Sequence, residues 1–473
     1  MKPILFPVGI VLTLSLLSAS CAVGPNYKRP VVEVPTEFRG PGASPAPGET
    51  GGRSLADEKW FDLFEDQVLK ELVTTALEQN FDLRIATERV LQARAQLGIS
   101  RSDLFPTLSA DAQFVANRGS SAGAIPFIPK GTNLDVSYTQ AGFTLGWELD
   151  VWGRLRRLKE SARAEYLATE EARHGVTTTL ISDVTGTYFL LRELDLELEI
   201  ARKTRTVAED GLRLTQLRRT QGVATGLDVS QAEQFLYTAT AEIASIERAL
   251  AQTENALSLL LGNNPGDIPR GRALEDFEPP QVPPGLPSSL LERRPDIREA
   301  EAILIAANAR IGAARAQYFP QISLTGFLGG QSRSLSDLFT GPARFWNFAP
   351  GITLPIFNAG RIRSNVRFTE AQQREMLLRY EKAIQNAFGE VSDSLIGYRK
   401  TVEQREQQEL LVNALRETQR LSTLRYRGGL DSYLQVLDAD RNLFVGDLTL
   451  ARLRQRELDS IVQLYRALGG GWS

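Results

Sequence analysis

"RAQYFPQISLTGFLGG", residues 315–330, changes character in its middle. Up to Tyr318 it extends a run with apolar residues at Ile303, Ala307, Ile311 and Ala314, the spacing of one helix face. Phe319-Pro320 then intervenes, and proline disfavours the helical conformation in the residue before it. Beyond it Ile322, Leu324 and Gly326 alternate with Gln321, Ser323 and Thr325, which is the period-two pattern of a strand with one apolar and one polar face. The stretch "SRSDLFPTLSADAQF", residues 100–114, makes the same passage from helix to strand at Phe105-Pro106.

The two passages belong to a duplication. Phe319 follows Phe105 by 214 positions, while Gly360 follows Gly153 by 207. The pairs Leu217/Leu424, Arg218/Arg425, Gly222/Gly429 and Ala232/Ala439 all keep the offset of 207. One offset held over such distances indicates two copies of one unit, and the step from 214 to 207 places seven extra residues between the strands of the first copy. Each copy reads in the same order. An amphipathic helix (about 82–104, then 296–318) leads into a strand after Phe-Pro. A Gly/Ser/Pro loop (117–133, then 329–343) precedes a second strand, "AGFTLGWELD" at 141–150 or "FWNFAPGITLPIF" at 345–357. A very long helical stretch starts near Gly153 and Gly360, breaks at Gly222 and at Gly428-Gly429, and a last helix ends at Gly262 and Gly469.

The resulting plan is a leader at 1–20, an N-terminal segment at 21–65, a first repeat at 66–262, a proline-rich linker at 263–295 and a second repeat at 296–473. Its strands fall at about 107–116, 138–149, 321–328 and 345–357. From Gly153 to Gln221 a continuous helix would run roughly 100 Å at 1.5 Å per residue, a length that argues for coiled-coil packing. Leu180, Val184, Tyr188 and Leu191 mark its apolar seam, and the dense acids Glu193, Asp195, Glu197 and Glu199 read as a solvated face. Residues 38–53, "FRGPGASPAPGETGGR", have the composition of a tether.

Composition narrows the function. The 473 residues are 42% apolar with a formal net charge of −3, so no basic excess points to nucleic acid. One cysteine excludes a disulfide framework, and one histidine, His174, lies in a charged helical run and reads as a surface residue. "MKPILFPVGIVLTLSLLSASC" is a secretory leader, with Lys2, an apolar run from Ile4 to Leu17 and small residues before Cys21. The only cysteine at the cleavage point suggests bacterial lipoprotein processing with Cys21 acylated, the alternative being an ordinary leader with an incidental cysteine. Beyond the leader nothing reaches the roughly 18 consecutive apolar residues of a spanning helix.

The strands offer another way into a membrane. Phe143, Leu145, Trp147 and Leu149 share one face, and Ile352, Leu354 and Ile356 repeat the pattern. Strands of about ten residues, apolar outside and polar inside, are the signature of a membrane β-barrel, with Trp147, Trp346 and Phe345 as interfacial aromatics. For one strand, half of a soluble sheet is the simpler reading; four strands shift the balance. Four are too few to close, and lipid does not tolerate open edges, so several chains must share one barrel.

These residues resemble the TolC-like outer-membrane factors of bacterial tripartite efflux pumps of the resistance-nodulation-division type, in the lipoprotein branch called NodT-like. "CAVGPNYKRP" at 21–30 and "LLERRPDIREAEAILIAANARIGAARAQYFPQISLTG" at 290–326 carry the resemblance, which covers the whole mature chain. It implies a mainly α fold with a small membrane β part, arranged as a homotrimer with a 12-stranded β-barrel on a periplasmic α-helical barrel. It also implies an outer-membrane, lipid-anchored location, no catalysis and no cofactor beyond the covalent lipid on Cys21. Its partners would be a periplasmic adaptor protein and an inner-membrane transporter. The family's periplasmic gate falls in "YRGGLDSYLQVLDADRNLF". Leu434 and Asp438 match its ring positions, one helical turn apart, and Asp228, Tyr426 and Arg427 match the latch. Gln435 and Asp431 depart from relatives that carry a second gate acid and an arginine there, which leaves the latch to Arg427. The expected function is a passive exit duct for small toxic compounds. The alternatives are a duct for type I protein secretion and a non-conducting coiled-coil periplasmic lipoprotein. No nucleophile–base pair, metal cluster or phosphate loop supports an enzyme.

Overall fold

The structure is a computed structural model that describes residues 22–32, 35, 54–57, 60–120, 134–280 and 289–471. The leader, Cys21, the tether at 38–53, most of the first strand-to-strand loop and part of the linker lie outside the described residues. Helices α1 (Gln67–Gln79) and α2 (Phe81–Ser102) precede strands β1 (Thr107–Arg118) and β2 (Asp135–Leu149). Helices α3 (Arg154–Thr220) and α4 (Gly226–Leu260) complete the first repeat. The second repeat comprises α5 (Pro295–Ala316), β3 (Gln321–Ser332), β4 (Arg344–Thr353), α6 (Arg361–Arg427) and α7 (Tyr433–Ala467).

The duplication is exact at the helix ends. Helices α3 and α6 have 67 residues each and α4 and α7 have 35 each, at an offset of 207, whereas α2/α5 and β1/β3 keep 214. Among the described residues no helix is long and apolar enough to cross a membrane.

The chain forms two compact units. Of the described residues, the first holds those within 22–30, 91–168 and 300–379, and the second those within 31–90, 169–299 and 380–471.

The first unit contains an antiparallel sheet in the order β1-β2-β3-β4. Each strand follows the passage that opens the sequence. Backbone bonds tighten to the i→i−3 pattern at Phe105→Ser102 (2.9 Å) and Phe319→Ala316 (3.1 Å), and the following proline ends the helix. Both junctions accept an indole N–H, from Trp147 Nε1 to the Leu104 carbonyl (3.1 Å) and from Trp152 Nε1 to that of Pro320 (2.8 Å). Trp152 also stacks on Phe319, with centroids 4.8 Å apart.

The strands differ from expectation at their ends. β1, β2 and β3 run longer than their patterns suggested, and β3 continues through Gly329-Gly330. β4 stops at Thr353 rather than Phe357, because Pro355 has no N–H to give a ladder.

The second unit holds the larger core. Leu180, Val184, Tyr188 and Leu191 are buried there, as their seam predicts. Tyr188 donates to the buried Asp66 (2.9 Å), whose carboxylate also caps α1 through the amides of Val68 and Leu69 and accepts the Arg272 amide. The polar linker chain is thereby tied to the first repeat without leaving a buried donor orphaned.

The acidic run on α3 is not the solvated face expected. Glu193 and Glu197 are buried at 4% and 3% exposure, Asp195 is half-buried, and of the four only Glu199 is exposed. Arg452 on α7 reaches Glu197 at 2.7 Å and Glu193 at 4.0 Å. Burial, and then the charge of Glu197, push Glu193 up to about 8. His174 is also less exposed than its sequence context suggested, with Nδ1 3.2 Å from Glu171.

Candidate functional site

Pairing register decides what each face of the sheet offers. Leu108 pairs with Leu145, Ala110 with Phe143, and Phe143 in turn with Leu328. Leu324 pairs with Trp147 and Pro350, Leu328 with Trp346, Gly326 with Phe348 and Ile322 with Ile352. Directly paired residues point the same way, so all four strands direct most of their large apolar residues to one face. The opposite face carries Thr107, Ser109, Asp111, Gln113, Thr144, Glu148, Ser323, Thr325 and Asn347. Leu108, Phe143, Leu328, Trp346, Phe348 and Ile352 are all more than half exposed within the chain. Trp346 lies on the apolar face as expected. Phe345 does not: it sits on the other face, against Phe327 at 5.7 Å.

At the junction end of this unit the chain following Cys21 is held by a dedicated set of bonds. The Val23 amide donates to the Trp152 carbonyl (3.0 Å), and Asn308 donates to the Pro25 carbonyl (3.0 Å). The buried Arg157 donates to the Val23 and Gly24 carbonyls and to Asn26. Tyr27 and Arg29 converge on Glu301. Gly24 has φ +101° and packs on Gly312 so closely that a Cβ would stand 2.4 Å from its Cα.

The gate residues expected from the sequence lie in the second unit, at the tips of the two long helical hairpins. Helix α3 stops at Gly222 (φ +74°) and α6 at Gly429 (φ +75°). Both stops are Schellman motifs, closed by Val223→Arg218 and Gly222→Arg219 in one and by Leu430→Arg425 and Gly429→Tyr426 in the other. Tyr426 and Tyr433 pack at 5.4 Å in a cluster with Ala208, Ala232, Phe235, Val436 and Leu437. Burial, then Asp440 and Tyr426, push the Tyr433 phenol up to about 12.

With that side of α7 buried, Leu434, at 50% exposure, and the exposed Asp438 stand on its opposite side. Asn442, one turn on, donates to Asp438 (3.2 Å), and the exposed Val445 extends the stripe.

The expected latch is arranged differently within the chain. The Asp228 carboxylate meets neither Tyr426 nor Arg427. It forms a capping box with Thr225, accepting from that residue's amide (2.7 Å) and hydroxyl (2.8 Å). Tyr426 is buried, and the Arg427 side chain is exposed with no ion pair among the described residues. The tie between the tips is Arg218, whose guanidinium lies 4.1 Å over the Tyr426 ring and donates to the Tyr426 carbonyl (3.2 Å). A cation on the last carbonyls of α6 meets the negative end of its dipole. Arg425 instead forks onto Asp431 (2.6 and 3.2 Å), which holds that carboxyl below its ordinary range. Arg218 and Arg425 are equivalent across the repeat, so the signal for both was present in the duplicated "LR", but not their partners.

A sheet with an apolar outer face and unpaired edges, joined in one chain to paired long helices, defines an outer-membrane channel protein. The chain belongs to the outer membrane efflux protein family, which matches residues 72–263 and 286–470. It is 41% identical over 461 residues, 97% of each chain, to the solvent efflux pump outer membrane protein SrpC of Pseudomonas putida. It is 36% identical over 464 residues, again 97% of each, to the cation efflux system protein CusC of Escherichia coli O157:H7. A crystal structure of CusC matches with TM-score 0.85 at 35% identity, covering 95% of this chain and 100% of that one. The open-state Neisseria gonorrhoeae MtrE outer membrane channel matches with TM-score 0.84 at 32% identity, covering 96% and 99%. The protein is an outer-membrane exit duct of an efflux pump.

Proposed function

We propose that three copies of this chain close a twelve-stranded barrel and pass small toxic compounds passively from periplasm to exterior. The observation that carries this is the sheet: four strands, two unpaired edges and one continuous apolar face. Lipid leaves no backbone group on an open edge satisfied, and three such sheets exceed the about eight strands of the smallest single-chain barrels. Energy then comes from an inner-membrane transporter joined through a periplasmic adaptor, and the chain performs no catalysis. The names of its relatives, which specify solvent and cation efflux, support small compounds as cargo.

Leu434 and Asp438 form the periplasmic constriction in this reading. Three copies of the exposed α7 stripe around one axis place an apolar ring beside an acidic one, and the acids attract cations as charged pore rings do. Cys21 is acylated, and the strap from Val23 to Arg29 fixes the anchor against the first unit. Planar-bilayer recordings and mass measurement of the purified protein in detergent test the duct: a conducting trimer is expected, and a conducting monomer overturns it. Mass spectrometry of the mature N-terminal peptide tests Cys21, and an unmodified cysteine overturns the anchor.

A further inference from the structure

The apolar face of the sheet has a hollow in it. In the middle of β1 and β2, level with the end of β3 remote from its Phe-Pro junction, Ala110, Ala112 and Ala141 stand where large side chains are found elsewhere and lie beside Phe143 and Leu328. The β3–β4 connection folds back over the same face. Gly330 permits this, since a Cβ there would stand 2.0 Å from the Leu338 carbonyl. Leu338 is buried by the fold-back, while Phe339 beside it is 87% exposed. Between the alanines and Phe339 lies a cavity of about 760 Å³, within the about 300–1,000 Å³ range of ligand sites.

Arg344 lines this cavity, exposed and on the apolar face in register with Gly330. Among the described residues no carboxylate pairs with it. A guanidinium on a face built to meet hydrocarbon is matched by an anion at the membrane surface, and its planar fork suits a phosphate.

We infer that the cavity holds one hydrocarbon chain of a phosphorylated glycolipid of the outer leaflet, with the lipid's phosphate on Arg344. This rests on the reading of the sheet as part of a barrel, which puts the β3–β4 connection, with Phe339 and Arg344, toward the outer surface. The alanine floor admits the chain, Phe143, Leu328 and Phe339 contact it, and Arg344 selects the headgroup.

The test is native mass spectrometry of the detergent-purified protein titrated with diphosphorylated lipid A, phosphatidylglycerol or phosphatidylethanolamine. Lipid A should bind up to once per chain, at least ten-fold more tightly than either phospholipid. Arg344→Glu should lower that affinity at least ten-fold, and Ala141→Trp, which fills the hollow, should abolish binding. Both variants should conduct like the parent, and Arg344→Gln serves if either fails to assemble. Equal binding of phosphatidylglycerol overturns the glycolipid assignment, and undiminished binding by the arginine variants overturns the role of Arg344. A conducting wild-type trimer that takes up no lipid A, its hollow being filled by the chain itself or by a second copy, overturns the site alone. A wild type that neither assembles nor conducts overturns the barrel as well.

Discussion

The two hairpin tips stand 207 positions apart and stop their long helices with the same glycine motif, yet they restart differently. In the first, Thr225 and Asp228 close a full capping box on α4. In the second, Ser432 makes no side-chain cap on α7, and the turn is held by the Arg425–Asp431 fork and by Arg218 reaching across from the first repeat. The exposed faces differ too. Leu434 and Asp438 have Leu227 and Gln231 as their counterparts, so at this pair of positions only the second tip carries an acid. Duplication supplied one scaffold; divergence left the first tip locally stable and made the second depend on contacts outside its own helix.

Removing the charged face of the second tip should have the largest effect. Leu434→Ala combined with Asp438→Ala should raise single-channel conductance by roughly two-fold or more and weaken cation selectivity, with the trimer intact. Cells expressing it should take up bulky antibiotics such as vancomycin. Leu227→Ala with Gln231→Ala should leave conductance near the parent value, and equal effects at the two tips would break the comparison.

The long helices offer a second contrast. Glu193 and Glu197 of α3 are buried, whereas their counterparts on α6 are the exposed Lys400 and Gln404. Glu193 titrates at about 8 in the fold against the ordinary 4.5. Its contribution is therefore fully favourable below about pH 4.5 and is lost as pH rises through about 8. Glu193→Gln should flatten that dependence and stabilise the protein at pH 8 by on the order of 2 kcal/mol, read from thermal unfolding between pH 5 and 8. A variant as pH-sensitive as the parent would assign the dependence to other groups.

Arg218→Ala should cost about 1–2 kcal/mol through the lost cation–π contact and uncapped carbonyls. It should also raise conductance without altering selectivity, since Asp438, the acid of the proposed constriction, is kept. The smallest effects sharpen the capping contrast. Thr225→Ala should lower stability by about 1 kcal/mol in chemical denaturation, and Ser432→Ala by no more than a few tenths. Loss of equal size at both would mean that Ser432 caps after all.

Much of this molecule is determined locally, and the sequence alone shows it. The Phe-Pro passages, the glycine stops and the alternation of the strands each depend on residues within a few positions of one another, where backbone sterics and side-chain period leave little choice. Which strand pairs with which, and hence that four apolar patterns form one face, depends on register between segments nearly 200 residues apart, and only the folded chain fixes that. The same holds for the charges. A helical run of four acids reads as a solvated surface until Arg452 and the packing of α7 bury two of them. Asp228 matches a latch position in the sequence, and only the folded chain shows that Thr225, three positions away, holds its carboxylate in a cap. Long-range packing and competition for hydrogen-bond partners decide such cases, because a charged side chain's energy depends on what surrounds it, and the sequence around it does not state that.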